Sequence, residues 1–323
     1  MIMEKNFGII GLGRMGGALA LNALGQNIKV TVFNRTIEKA QELAAQGAEV
    51  STSLKEFVEK TRANGNGTAV IWLMVMAGNP VDELIFGEQS DGTLVQGERL
   101  VDYLKAGDVI IDGGNSYYKD SIKRSKKLGS LGVNFFDCGT SGGISGARNG
   151  ACLMIGGDKD AFTSIEWIFQ SLAQNEGYGY MGKSGSGHYV KMVHNAVEYG
   201  MMQSIAEGLD LLENGAMQSL ENNLNLTDIL RVWNHGSIVE SYLTKITEAQ
   251  LKDDPKLEKI GDRVDDNGEG AWTVTEAISA QVPFLSLCYA LFMRYTTRKA
   301  ESFAMKVVAA QRRGFGGHNV ESK

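Results

Sequence analysis

Gly11-Leu-Gly13-Arg-Met-Gly16 constrains this chain more than any other segment. It follows an apolar run, Phe7-Gly-Ile-Ile10, and opens a stretch with helical patterning. In such a setting the first glycine permits a tight turn. The second lets a pyrophosphate approach the backbone, and the third lets the helix pack on the strand. A structural glycine turn is the competing account of the motif alone. Strand, helix and a second apolar run, Lys29 to Phe33, in register favour a dinucleotide. Gly11, Leu12, Gly13, Arg14, Met15 and Gly16 are therefore expected to contact a cofactor.

The first half of the chain repeats this alternation. Ala69 to Val75, Val109 to Asp112, Asn134 to Asp137 and Cys152 to Ile155 are further strand candidates, with amphipathic segments such as Glu38 to Gln46 among them. Strands alternating with helices predict a parallel, doubly wound sheet, an α/β Rossmann-like domain. From about Gly185 the strand signal fades. Tyr189 to Glu213, Thr227 to Asn234, Ser237 to Lys252, Val274 to Ala280 and one long helix, Pro283 to Arg312, read as an all-α domain. The expected division is 1–182 for the dinucleotide domain and 183–323 for a helical substrate and dimerisation domain. Asp253 to Gly270 is polar and reads as a loop.

The exit of the second strand bears on which nucleotide is bound. An acidic residue is expected there to hold the ribose 2′-hydroxyl of NAD. This chain has Asn34-Arg35-Thr36. Without a carboxylate to repel a 2′-phosphate, and with Arg35 to pair with it, NADP is favoured and NAD remains possible. Val75, Met76 and Ala77, at the exit of another strand, complete the expected cofactor contacts.

Two glycine-rich loops follow strands at the carboxyl edge of the same sheet, where ligands sit in such folds. In Asp112-Gly-Gly-Asn115-Ser, Asn115 is expected to contact nicotinamide and substrate. In Gly139-Thr-Ser141-Gly142-Gly143, the serine and the amides suit a carboxylate or vicinal hydroxyls. Lys191, His194, Asn195 and Glu198 then fall at i, i+3, i+4 and i+7 of a helical segment, on one face. Val190, Val193, Val197, Met201, Ile205, Leu209 and Leu212 are expected to form a buried stripe beside it. Hydride removal from an alcohol carbon needs a base for the hydroxyl proton, and Lys191 is the candidate. Glu198 is a second acid-base group. A solvated Lys–Glu face is the plain alternative.

These residues together resemble the decarboxylating 6-phosphogluconate dehydrogenases in their shorter form. Gly-x-Gly-x-Met-Gly, Asp-Gly-Gly-Asn-Ser, Ser-Gly-Gly with Gly-Ala-Arg-x-Gly, Gly-His-Tyr-Val-Lys-Met-Val-His-Asn and Glu-Tyr-Gly occur in order from residue 7 to His318. The resemblance implies that Lys191 takes the 3-hydroxyl proton of 6-phosphogluconate as hydride leaves for NADP. Carbon dioxide is then lost, and Glu198 protonates carbon 1 to give ribulose 5-phosphate. It implies that Asn115, Ser141, Gly142, Gly143, His194 and Asn195 hold the sugar acid and that Tyr199 reaches the phosphate. Arg312 and His318 of the tail would enter a neighbouring subunit's site, in a homodimer or higher homo-oligomer. The long form carries lysine and threonine where this chain has Asn267 and Glu269 near Trp272-Thr273, so Arg294 or Arg298 is expected to supply phosphate charge. Many short-form enzymes look NAD-preferring, with Asp at the place of Asn34.

Composition narrows the alternatives. A net charge of −6 speaks against general nucleic-acid binding. No run of apolar residues is long enough to span a membrane. Three cysteines without paired spacing read as reduced thiols, so a cytoplasmic location is expected. The histidines show no metal-ligand spacing, and no metal is expected. The remaining rivals are another β-hydroxyacid dehydrogenase and a non-enzymatic nucleotide-binding regulator.

Overall fold

The structure is a computed structural model and describes residues 5–65, 67–219 and 224–316. Its elements run β1 (Asn6–Ile10), α1 (Arg14–Gly25), β2 (Lys29–Phe33), α2 (Ile37–Ala44), β3 (Glu49–Val50), α3 (Leu54–Asn64), β4 (Val70–Leu73), α4 (Asn79–Phe86), β5 (Val109–Asp112), α5 (Tyr118–Gly129), β6 (Asn134–Ser141), α6 (Gly143–Asn149), β7 (Ala151–Gly156), α7 (Lys159–Leu172) and β8 (Ala173–Gly182). Helices follow: α8 (Ser186–Asn214), α9 (Ala216–Ser219), α10 (Leu226–Trp233), α11 (Tyr242–Asp253), α12 (Glu269–Ser279), α13 (Leu285–Thr296) and α14 (Phe303–Gly316). By internal contact the chain forms two units, Met1–His194 and Asn195–Lys323, so α8 begins in one and ends in the other. The expected 182/183 boundary coincides with the last residue of β8. Among the described residues, no helix is long and apolar enough to cross a membrane.

The first unit is one sheet in the order β3-β2-β1-β4-β5-β6-β7-β8. Alternate residues of its central strands feed opposite faces, as the period of two requires. Ile9, Trp72 and Ile111 join Leu19, Ala23 and Phe169 on one side. Ile10, Ile71 and Ile110 join Phe57, Ile85 and Leu128 on the other. Both faces are covered by helices, which explains the near-continuous apolar strands. Pairing is parallel except between β6 and β7. The connection there, Gly142 to Gly150, is shorter than the dozen or so residues that a parallel crossover needs.

Strands β3 and β8 carry no clear sequence signal. β3 has only two residues. β8 is rich in polar residues and glycine, yet Tyr178 and Tyr180 alternate onto the core and carry its register.

In the second unit, Leu209, Leu230 and Leu251 form one cluster where α10 and α11 pack on α8. Tyr199, Ala290 and Leu291 form another. Two expectations fail here. The helix expected from Pro283 to Arg312 is broken into α13 and α14. At the end of α13 the Thr297 hydroxyl donates to the Arg294 carbonyl at 2.7 Å and accepts from the Val264 amide at 3.0 Å, which ties the helix end to the loop before α12. The buried stripe of α8 holds toward its end, where Leu209 is buried and Ile205 and Leu212 pack beside it, but is displaced at its start. Val190, Val197 and Met201 are exposed, whereas Met192, Ala196 and Tyr199 are buried alongside Lys191 and Asn195. The polar residues therefore sit on the packed side of the helix.

Candidate active site

The glycine loop divides its work as the sequence suggests. Gly11 has φ +95°, and a Cβ there would lie 2.4 Å from the Met74 carbonyl oxygen. A Cβ on Gly16 would lie 2.0 Å from the Gly11 carbonyl oxygen. Gly13 differs: a Cβ there would meet nothing within 4 Å. It is the N-cap of α1, and no side chain caps the helix, so the first-turn amides of Arg14, Met15 and Gly16 keep their capacity to donate. Open space at the second glycine beside uncapped amides fits the pyrophosphate of a dinucleotide.

Asn34 latches the adjoining turn. Its side-chain oxygen accepts from the Leu12 amide at 2.9 Å, and its nitrogen donates to the Thr36 carbonyl at 2.9 Å. Both ends of this amide are thus engaged in shaping the loop. Arg35 and Thr36 are exposed beside it. Val75, Met76 and Ala77 follow β4, and the Met74 amide bonds the Ile10 carbonyl at 2.8 Å, which sets this exit against the glycine loop.

A buried arginine that sequence reasoning passes over ties two ligand loops together. Arg124 on α5 grips Asp82 of α4 through two bonds, at 2.8 and 2.9 Å, and donates to the Gly78 carbonyl at 3.1 Å. It also reaches Asp112 and Ser116, each at 3.2 Å, while Ser116 donates to Asp112 at 2.7 Å. Burial alone would lower the Arg124 pKa; the Asp82 and Asp112 carboxylates outweigh it and raise it. The loop after β4 and the loop holding exposed Asn115 are so fixed by one cation. The sequence carries no clear signal for it: the buried positions of α5 are Ser121, Arg124 and Leu128, of which only Leu128 is apolar, while Ile122 is exposed.

Asp137, fully buried at the heart of β6, accepts from the Gly185 amide at 2.6 Å and the His188 amide at 2.9 Å. It therefore caps the start of α8 from within the sheet. Glycines then let the helix rest directly on strand backbone. A Cβ on Gly187 would lie 2.4 Å from the Asp137 carbonyl oxygen, and one on Gly139 would lie 2.3 Å from Cβ of Lys191. Lys191 is held against β6 in this way and is only 5% exposed. His194 joins the same place: its Nε2 lies 3.1 Å from the Ser141 hydroxyl. Gly142 and Gly143, φ +108° and +61°, turn the chain from β6 into α6 beside that serine.

In the second unit, Asn195 and Tyr199 follow on α8. Both are buried. The Tyr199 hydroxyl donates to the side-chain oxygen of Asn267 at 3.1 Å. Burial, against the pull of Arg294, raises the pKa of this phenol, so it stays neutral. The Arg294 guanidinium lies 3.5 Å over the Tyr199 ring and donates to the Asp265 carbonyl at 2.9 Å. Arg298 is ion-paired with Asp266 instead. Glu198 is half-buried, and Arg312 is exposed on α14. His318 lies outside the described residues.

Lys191, His194, Asn195 and Glu198 thus belong to one helix with the spacing expected. The model of the NAD-binding domain of 6-phosphogluconate dehydrogenase matches residues 6–200, and that of the 6-phosphogluconate dehydrogenase C-terminal domain matches residues 187–323. The chain belongs to the 6-phosphogluconate dehydrogenase family. A Bacillus subtilis relative, YqeC, is 39% identical over 316 residues, covering 98% of this chain and 99% of its own. The NAD(+)-dependent, decarboxylating 6-phosphogluconate dehydrogenase of Haloferax volcanii is 35% identical over 318 residues, 98% of either chain. The solved Plasmodium falciparum 6-phosphogluconate dehydrogenase, studied alone, with NADP+ and with 6-phosphogluconate, matches with a TM-score of 0.77 and 31% identity. That match covers 98% of this chain and 66% of that one.

Proposed function

We propose that this protein oxidises and decarboxylates 6-phosphogluconate to ribulose 5-phosphate, with NADP as acceptor. The observation that carries the reading is the burial of Lys191 against Gly139, on a helix capped by Asp137, at the edge of a dinucleotide-binding sheet. An amine held in this place is the group positioned to accept the hydroxyl proton. NADP, when bound, takes up the hydride from carbon 3. Lys191 takes the 3-hydroxyl proton as that carbon is oxidised, and then hydrogen-bonds the ketone while carbon dioxide leaves. Glu198 delivers the proton that converts the enediol to product. Ser141, oriented by His194, and the Gly142 and Gly143 amides hold the sugar acid together with Asn115 and Asn195.

Tyr199 and Arg294 are assigned to the phosphate. Arg298, neutralised by Asp266, is better suited to holding the loop before α12. NADP preference is supported by the uncharged Asn34 and exposed Arg35, although the Haloferax relative is named for NAD. The chain acts as a homo-oligomer, in which Arg312 reaches a neighbouring copy's site. In support, Ile238, Leu285, Phe303 and Ile278 are large apolar side chains left mostly exposed in the second unit. The division at 182/183 into nucleotide and substrate domains and a cytoplasmic location belong to the same reading.

The test is nucleotide reduction with 6-phosphogluconate and with its unphosphorylated counterpart, each with NADP and NAD. A kcat/KM ratio of NADP over NAD above one, and a requirement for the phosphate, are expected. A ratio below one removes the cofactor assignment, and equal turnover of unphosphorylated acids favours a different β-hydroxyacid substrate.

A further inference from the structure

Glu269 occupies a place that the activity does not explain. It is the first residue of α12, follows Gly268 in the left-handed conformation, and is 2% exposed. One of its oxygens, Oε2, accepts from the side-chain nitrogen of Asn195 and, at 2.6 Å, from that of Asn267. Asn267 in turn accepts, at its side-chain oxygen, from the Glu269 amide at 3.2 Å and from the Tyr199 hydroxyl at 3.1 Å. A single carboxylate oxygen therefore organises two carboxamides, and through one of them the Tyr199 hydroxyl.

An asparagine side chain has a donor end and an acceptor end, and which one meets a ligand depends on what the other end does. A carboxylate can only accept, so it selects the nitrogen of Asn195. We infer that Glu269 is a positioning residue that fixes Asn195 with its carbonyl oxygen as the end offered to substrate. Asn195 then serves as an acceptor for a sugar-acid hydroxyl, not as a donor to an oxygen. This rests on the proposed oxidation of 6-phosphogluconate. Glutamine at position 269 weakens the selection: its oxygen can still accept from Asn195, but its amide nitrogen can take that place and donate instead. Asn195 can then turn its nitrogen toward the substrate, and the acceptor is lost part of the time.

A double-mutant cycle reads this directly, with Glu269→Gln, Asn195→Ala and the pair, each assayed for kcat and for the Michaelis constants of the sugar acid and of NADP. Glu269→Gln is expected to raise the sugar-acid KM by about 5–20-fold, the range set by one hydrogen bond with a charged network behind it. The NADP KM should stay within about twofold, since the cofactor is not held by this pair. In the Asn195→Ala background the same substitution should change the sugar-acid KM by a clearly smaller factor, because only the route through Asn267 and the Tyr199 hydroxyl remains. Glu269→Asp, which keeps an acceptor-only group, should restore part of the loss. Equal KM increases in both backgrounds would overturn the inference, as would a Glu269→Gln enzyme with unchanged sugar-acid KM. If Glu269→Gln yields no folded protein by circular dichroism, the cycle is run with Glu269→Asp, whose shorter side chain loosens the contact without removing the acceptor; a smaller coupling of the same sign is expected, and no coupling would overturn the inference. Absence of 6-phosphogluconate turnover in the unmodified protein would be a failure of the proposed activity, seen before any variant is made.

Discussion

One methyl group added at Gly13 and one added at Gly16 should have opposite consequences, though both glycines belong to one turn. Gly13 has φ −69° and ψ −170°, a conformation open to alanine. Its added Cβ would meet nothing within 4 Å. Gly13→Ala should therefore leave the nucleotide-free fold intact and stabilise it by about 0.4–1 kcal/mol, through the unfolded chain. For a unit of this size that is a rise in Tm of roughly 1–4 °C. The same methyl would stand where the pyrophosphate must approach the first-turn amides of α1. Losing one charge-assisted bond there costs about 1.5–3 kcal/mol, or roughly 10–100-fold in Kd for NADP. Gly16→Ala reverses the pattern. Its Cβ would lie 2.0 Å from the Gly11 carbonyl oxygen, so helix or turn must move. Overpacking of this kind costs about 1–3 kcal/mol, and Tm should fall by roughly 2–12 °C. Calorimetric titration with NADP and thermal melts of the nucleotide-free protein measure both. A Gly13→Ala protein that binds NADP like the parent would refute the placement of the pyrophosphate. A Gly16→Ala protein that melts like the parent would refute the packing argument.

Other outcomes follow from the same geometry. Asn34→Asp keeps an acceptor for the Leu12 amide but loses the bond to the Thr36 carbonyl and adds a charge near a 2′-phosphate. Kinetics with both nucleotides should show kcat/KM for NADP falling about 10–100-fold, from on the order of 1–3 kcal/mol of repulsion, with NAD little changed; a parallel fall in both would discard the charge argument. Asp137→Asn places a donor against one of two backbone amides in a fully buried setting. A cost of about 1–3 kcal/mol in thermal or denaturant unfolding is expected, together with a lower kcat as the start of α8 loosens. Glu198→Gln should still reduce nucleotide in a first turnover but release ribulose 5-phosphate slowly. Unimpaired product formation in a rapid-quench experiment would take Glu198 out of the mechanism.

How much of the fold and site is legible in the sequence depends on whether a residue's partner lies nearby in the chain. The glycine loop and the face of α8 are readable because a turn and a helical spacing are local. Arg124 does not stand out, because the apolar spacing of α5 misleads: Ile122 is exposed while Ser121 and Arg124 are buried. Asp137 carries only the hint of an acid ending an apolar run, since its partners lie on α8, far along the chain. Glu269 looks like a missing phosphate ligand; its attachment to Asn195 spans the second unit and has no local signature. The helix beyond Pro283 is misread because apolar content suggests continuity, while the end of α13 is tied to the distant Val264 amide through the Thr297 hydroxyl. The faces of α8 are misread for a related reason. In its first turns valine and methionine are expected inside, yet polar residues occupy the packed side, whereas Ile205, Leu209 and Leu212 pack as expected.

The most direct measurement is the stoichiometry of a single reaction, carried out with the intact protein and with Lys191→Met. Supplied with 6-phosphogluconate and NADP, the intact protein should yield NADPH and carbon dioxide in equal amounts. Lys191→Met should retain NADP binding and lose turnover by about 100–10,000-fold, the range for removing a general base. NADPH without carbon dioxide, or a Lys191→Met protein that turns over like its parent, would contradict the assignment of this buried lysine as the base of an oxidative decarboxylation.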